Sequence, residues 1–320
     1  MKIVLMFFRL RRATRVALLW VGAAALSVAS LAACSSDGAP DADGRLRVIT
    51  AFYPLQYAAE RVSGGHADIT SLTQPGAEPH DVELRPKDVA RLNDADLVVY
   101  LRGFQPALDD SIAQVAESDV LDVGAIPGVL DRGGTDDEHA DHTHDTAGTD
   151  PHFWLDPLRL ATVGDELAER LARLDPEHAA AYRRHAKELR DDLEALDDDY
   201  AAGLASCASR VLVTSHESFG YLARRYDLEQ IGVEGLVPDQ EPSPAQISEV
   251  ARFVREHGVS TIYHETLVSP RIAETVAAET GARVAVLDPL EGLTPDSPGG
   301  DYLTVMRANL RTLRKGQSCR

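Results

Sequence analysis

Apolar and polar positions along the chain follow two periods, and the period switches several times. Short apolar or β-branched runs at Leu46–Phe52, Asp68–Leu72, Leu97–Leu101 and Val120–Val123 predict strands. Segments starting near Pro54, Pro86 and Gln105 lie between them and carry helical spacing. Residues 124 to about 150 break this rhythm with Gly, Asp and His. From Pro157 to Leu174, the apolar positions Leu160, Val163, Leu167 and Leu171 recur at helical intervals. Asp175-Pro176 interrupts the pattern, and a longer helix is predicted to run from there to about Leu204. It carries Tyr182, Leu189, Leu193 and Leu196 on an otherwise highly charged body. Such a helix suits a strut between lobes better than a buried core element.

The alternation then returns, with strands predicted at Val211–Thr214, Glu229–Val233, Thr261–His264 and Arg283–Leu287. Ser243-Pro244-Ala245-Gln246 combines an N-cap, a proline at the first helical position and a capping-box Gln. Ser269-Pro270 repeats the device, and Gly281 is placed to stop the helix it opens. Two β/α units with short parallel strands, joined by a helical strut, describe a two-lobed α/β protein. The halves share this rhythm but no visible sequence repeat.

The first residues change the picture of where the protein works. Lys2, Arg9, Arg11, Arg12 and Arg15 precede an uncharged run from Val16 to Ala33, which ends at Leu31-Ala32-Ala33-Cys34. A basic start, an apolar core and small residues before a cut site predict a secretory signal over residues 1–33. The Cys directly after Leu-Ala-Ala resembles the lipobox of bacterial lipoproteins, with Cys34 lipidated and residues 34–44 as a flexible tether. An uncleaved membrane anchor is the alternative, since the run is almost long enough to span. Removing residues 1–33, with five basic and no acidic side chains, takes the formal charge from −19 to −24. That argues against nucleic acid, which requires a basic surface. Cys207 and Cys319 remain, and an exported chain with two further cysteines is expected to form one bridge. Neither belongs to a CxxC, which disfavours a cysteine metal site.

Ligands of open α/β sheets bind beyond the carboxyl ends of the strands. His216, Glu265 and Asp288 each follow such an end, His80 follows the second strand through Gln74–Pro79, and His152 opens the segment 151–157. Three imidazoles and a carboxylate form a set suited to tetrahedral Zn²⁺, whereas oxygen-rich sets bias towards Mn²⁺, Mg²⁺ or Ca²⁺.

Four stretches extend this reading. Gly76-Ala77-Glu78-Pro79-His80-Asp81 leads to Arg85-Pro86. Asp150-Pro151-His152-Phe153-Trp154-Leu155-Asp156-Pro157, then Thr214 to Leu222, then Leu287-Asp288-Pro289-Leu290 follow in order. Together they resemble the four metal motifs of the ZnuA/TroA-like zinc and manganese binding proteins of ABC importers, over essentially Arg45 to Lys315. The resemblance implies two Rossmann-like β/α lobes joined by a long rigid helix, with metal in the cleft between them. The corresponding boundaries are an N-terminal lobe over 45–157 with an acidic His-rich loop at 131–150, a helical region over 158–205 and a C-terminal lobe over 206–320. It implies His80, His152, His216 and Asp288 as ligands, with Glu78 and Glu265 as competitors for the fourth place or as acceptors behind an imidazole. His at the third motif favours zinc over manganese. His139, His142 and His144 resemble the His-rich loop of zinc-type members and are expected to contact metal weakly.

The implied partners are an ABC permease and, through it, the ATPase. The chain is expected to be a monomer, held outside the cytoplasm by its lipid anchor. A zinc hydrolase is disfavoured because no HExxH occurs: His216-Glu217 is followed by Gly220, and His264-Glu265 by Val268. GxSxG, Walker A and GxGxxG motifs are also absent. A manganese-binding importer component and a metal-stabilised surface adhesin remain as alternatives.

Overall fold

A computed structural model describes residues 44–116, 120–131, 149–237 and 242–320. The signal segment, Cys34, the tether up to residue 43, and His139, His142 and His144 lie outside the described residues.

The first half folds as β1 (Leu46–Thr50), α1 (Tyr53–Ser63), β2 (Ala67–Ser71), α2 (Pro86–Asn93), β3 (Leu97–Tyr100), α3 (Pro106–Ile112) and β4 (Val120–Asp122). All pairings are parallel, in the order β2-β1-β3-β4. The apolar run of β3 is buried along its whole length, as expected of a central strand covered by helices on both faces. All four strands end before their predicted ends, β2 and β3 by one residue, and local reasons are plain for β1 and β4. Ala51 and Phe52 leave the sheet to start α1, with Pro54 in its first turn. Val123 joins a 3₁₀ turn because the Asp122 side chain accepts the N–H of Gly124 at 3.1 Å.

The second half repeats the scheme with β5 (Val211–Thr214), α6 (Gly220–Arg225), β6 (Glu229–Gly232), α7 (Pro244–Glu256), β7 (Thr261–His264), α8 (Arg271–Thr280), β8 (Arg283–Val286) and α9 (Tyr302–Gly316). Its four parallel strands are ordered β6-β5-β7-β8. The capping box at Ser243 forms in full: its hydroxyl accepts the Gln246 N–H, and Gln246 Oε1 accepts the Ser243 N–H at 2.9 Å. At Ser269 the expected repeat fails. Three residues on stands Ile272, which cannot reciprocate, and α8 begins at Arg271 with Pro270 as an N-cap that makes no side-chain bond. Gly281 ends α8 in the left-handed region, at φ 77°.

Between the halves lie α4 (Pro157–Leu174) and α5 (Ala179–Leu204). Asp156 caps α4 by accepting the Leu158 N–H at 3.0 Å, and Pro157 occupies the first turn. The two helices pack closely at Gly164, where a Cβ would lie 3.0 Å from Leu189. The polar surface of α5 conceals a buried stripe of Tyr182, Ala186, Leu189, Leu193, Leu196, Tyr200 and Leu204. Its first half meets α1, where Arg61 pairs with Asp192 at 2.7 Å. Its second half meets the other lobe, where the Tyr200 hydroxyl donates to Met306 O at 2.7 Å and Arg225 pairs with Asp197. One continuous hydrophobic core therefore runs through both lobes along this helix. A smaller cluster of Val213, Val250, Ala251, Val254, Ile262, Ala273 and Val276 fills the outer side of the second sheet. Cys207, just past α5, is disulfide-bonded to Cys319 beyond α9.

Candidate metal centre

The sheet ends deliver four side chains to one point. His80 hangs on the loop after β2, which Gln105 braces by donating from Nε2 to Thr73 Oγ1 at 3.0 Å and to Pro79 O at 2.9 Å. His152 stands at the entry of a 3₁₀ turn, Phe153–Leu155. His216 lies two residues past β5, where Gln230 Nε2 and the Thr214 hydroxyl both donate to its carbonyl. Glu291 arrives from the loop after β8. His152, His216 and Glu291 are fully buried, and His80 is 9% exposed.

The three Nε2 atoms converge on Glu291 Oε1, at 3.5 Å from His80, 3.0 Å from His152 and 3.4 Å from His216. His152 Nε2 and His216 Nε2 are 3.4 Å apart. Donors placed about 2.0–2.1 Å from a tetrahedral zinc lie about 3.3 Å from one another, so these edges match that polyhedron. His80 Nε2 and Glu291 Oε2 are buried without hydrogen-bond partners, a deficit that a cation between them would remove. Among the described residues, no other group of three or more His, Cys, Asp or Glu side chains is close enough to share an ion.

Carboxylates stand behind two of the rings. Asp150 Oδ1 accepts from His152 Nδ1 at 2.9 Å, and Glu265 Oε1 lies 2.7 Å from His216 Nδ1. The Asp150 bond fixes the His152 tautomer that leaves Nε2 free to bind metal, and the Glu265 carboxylate sets its charge beside the Nδ1 side of His216. Burial alone would depress the His152 pKa, but Asp150 and Glu291 outweigh it and hold it raised. For His216 burial again works downward, and the Glu265 and Glu291 charges carry it well above the usual value. Burial also works against ionised Glu291, yet the His152, His216 and His80 rings gathered around it keep its pKa well below the carboxylate range. Aromatic rings wall the site: Phe104 meets His80 edge-on at 4.5 Å, and Trp154 lies 5.3 Å from His152.

The sequence profile of the "zinc-uptake complex component A periplasmic" family, ZnuA, matches residues 48–316. The chain belongs to the ZnuA family. The zinc-binding protein AdcA of Streptococcus pyogenes is 36% identical over 289 residues, which cover 85% of this chain and 56% of the relative. The chain thus spans little more than half the length of that curated relative. The high-affinity zinc uptake system protein ZnuA of Bacillus subtilis is 33% identical over 305 residues, covering 92% of this chain and 95% of the relative. The structure of the laminin-binding protein Lmb of Streptococcus agalactiae, described as bifunctional with adhesin and metal transporting activity, superposes with a TM-score of 0.74. It is 34% identical and covers 85% of this chain and 99% of that one.

In this ZnuA-family chain, the structure brings His80, His152 and His216 together but keeps Asp288 out of the group. Both Asp288 oxygens are engaged elsewhere: Oδ1 accepts the Leu290 N–H at 2.8 Å, and Oδ2 accepts the Ser297 hydroxyl at 2.8 Å. Its backbone is clamped by Asn309, which accepts the Asp288 N–H and donates to its carbonyl. The fourth place falls to Glu291, which the sequence reading missed. It lies one residue past the fourth motif, directly after Leu290, whose left-handed φ of 58° turns the chain there. Glu265 sits behind His216 rather than among the four donors. Glu78 spends Oε1 on the His80 backbone N–H at 3.2 Å, while its Oε2 is buried without a partner. Burial, followed by the Glu291 charge, pushes the Glu78 pKa up to about 8.

Proposed function

We propose that this chain captures Zn²⁺ through His80, His152, His216 and Glu291 and passes it to an ABC importer, without chemical conversion. The observation that carries the reading is the convergence of three buried Nε2 atoms within 3.5 Å of Glu291 Oε1, all four donors lying within 4.8 Å of one another. Three nitrogen donors and one carboxylate suit zinc better than manganese, which favours oxygen-rich shells. Four protein donors fill a tetrahedral shell and leave no open position for the activated water of a zinc hydrolase.

Binding follows from the residues in place. Asp150 and Glu265 hold the His152 and His216 rings so that their Nε2 lone pairs face the centre. A zinc ion arriving there displaces any proton on these nitrogens and offsets the Glu291 and Glu265 charges that add to burial in keeping Glu78 protonated. Trp154 Nε1 donates to Pro289 O at 2.8 Å, and the Tyr302 hydroxyl donates to Trp154 O, tying the two lobes beside the site. Release is therefore assigned to loops and side chains rather than to wide lobe opening.

We place this capture outside the cytoplasm. The periplasmic designation of the family and the Cys207–Cys319 bridge support that location. Attachment through a lipidated Cys34, a monomeric state, and a permease with its ATPase as partners complete the reading. Calorimetric titration of the metal-stripped protein tests it. One tight zinc site per chain, selected over Mn²⁺ and lost in His216→Ala, is expected; a titration without a tight site refutes the proposal. Adhesion is the second reading, favoured by the likeness to Lmb, and is tested by binding of the zinc-loaded protein to immobilised laminin.

A further inference from the structure

Beside the four donors, a cluster of charged and aromatic side chains bridges the lobes next to His152. Arg224 on α6 places Nη2 3.1 Å from Asp131 Oδ2 and 3.9 Å from Asp150 Oδ2. Arg159 on α4 takes the other Asp131 oxygen at 2.7 Å. The two guanidiniums lie 4.6 Å (Arg224) and 4.4 Å (Arg159) from the Tyr221 ring centroid, and the Tyr221 hydroxyl accepts the Asp131 N–H at 3.1 Å. A Cβ on Gly220, the first residue of α6, would stand 2.5 Å from Asp150 Oδ2, so that carboxylate is seated directly on the second lobe. Its other oxygen takes both the ring Nδ1 and the backbone N–H of His152, at 2.9 and 3.0 Å.

We propose that Arg224 is a positioning residue for zinc binding, setting from the second lobe the Asp150 carboxylate that orients His152. The inference rests on the zinc reading above and extends it to a residue that does not touch the metal. An outer carboxylate of this kind fixes both the direction and the basicity of the imidazole, and disturbing it weakens metal sites about ten-fold or more. Arg224 Nη2 faces Oδ2 across 3.9 Å and the bare Gly220 leaves the space in which that oxygen sits, so both border the carboxylate on its far side. The sign of the effect separates this role from a general electrostatic one. Removing a cation near the site should strengthen zinc binding if only the overall field mattered. If Arg224 positions Asp150, removing it should weaken zinc binding instead.

The test compares Arg224→Met, which keeps the aliphatic stem, with Gly220→Ala, which pushes Asp150 from the other side. Arg252→Met on α7, whose partner Glu256 is four residues away on the same helix, serves as control. Zinc affinity is measured by competition with a chromophoric chelator, and site geometry by the visible absorption of Co²⁺ in the same full-length proteins. Arg224→Met and Gly220→Ala should each weaken zinc by about ten-fold and alter the Co²⁺ spectrum, with Arg252→Met matching the parent. Exposed ion pairs add little to stability, so the metal-free melting temperature of Arg224→Met should stay close to the parent's. In an Asp150→Asn background the Arg224 substitution should have no further effect. Parental zinc affinity and Co²⁺ spectrum in Arg224→Met, or tighter binding, overturn the proposal; so does an equal loss in Arg252→Met. If the parent lacks a tight site, the functional reading itself fails, and this inference fails with it.

Discussion

Asp288 Oδ1 accepts the N–H of Leu290 at 2.8 Å, and this bond folds the turn that carries Glu291 to the three histidines. A carboxylate that builds a site is thus distinct from the one that fills it. Glu291→Gln should lower zinc affinity by at least about 100-fold, because an anionic donor is lost from among the ligands themselves. Asp288→Asn keeps an oxygen able to accept the Leu290 N–H and should cost no more than about ten-fold. Chelator competition on the two variants decides the assignment, and the reverse order would return Asp288 to the ligand set.

This pair also shows what was legible in the sequence. The eight strands could be read because apolar runs and helix signals alternate cleanly, and strand ends such as Thr214 and His264 fell where predicted. His80, His152 and His216 could be read because motif order placed each near a strand end. Glu291 could not. Its approach depends on a left-handed Leu290 and on the Asn309 clamp from α9, neither of which leaves a periodic trace. Asp288 looked like a ligand because it follows the strand directly, and only its two filled acceptor positions show otherwise.

Proton balance predicts how zinc stabilises the protein at different pH. In the metal-free state His152 and His216 have raised pKa values, and Glu78 reaches about 8 from an ordinary 4.5. The folded chain then holds more protons than the unfolded one across the neutral range, so its stability falls as pH rises through these folded values. Glu291 has the opposite sign: its lowered pKa adds stability above the ordinary 4.5, lost only at strongly acid pH. Zinc takes the place of the displaced protons. The rise in melting temperature on adding zinc should therefore grow between about pH 6 and pH 8. Paired thermal melts check it, and an increment independent of pH would count against a three-histidine site.

The disulfide closes a loop across a sequence separation of 112 residues. Replacing both Cys207 and Cys319 with Ser should cost about 4 to 5 kcal/mol of stability by the chain-entropy argument. Cys207 precedes β5 while His216 follows its other end, so zinc affinity of the folded double variant should match the parent. Urea denaturation with and without reductant measures the first quantity, and unchanged stability on reduction would contradict the bridge.

Leu189 is fully buried where α5 packs against Gly164 of α4. Leu189→Ala should cost about 2 to 5 kcal/mol through the lost burial and the cavity left behind. Because the core is shared, unfolding should remain a single transition seen alike by circular dichroism and tryptophan fluorescence. Two separated transitions would show that the lobes are independent.

The shared core along α5 has a kinetic corollary. A cleft that cannot part widely without exposing core makes metal departure a problem of ligand substitution rather than of opening a door. Each donor must be replaced in turn by an incoming one, and His80 is the natural first bond to break because it alone of the four retains any exposure. On the proposed zinc reading, transfer should be associative, with a rate that rises with the concentration and nucleophilicity of the acceptor while spontaneous dissociation stays slow.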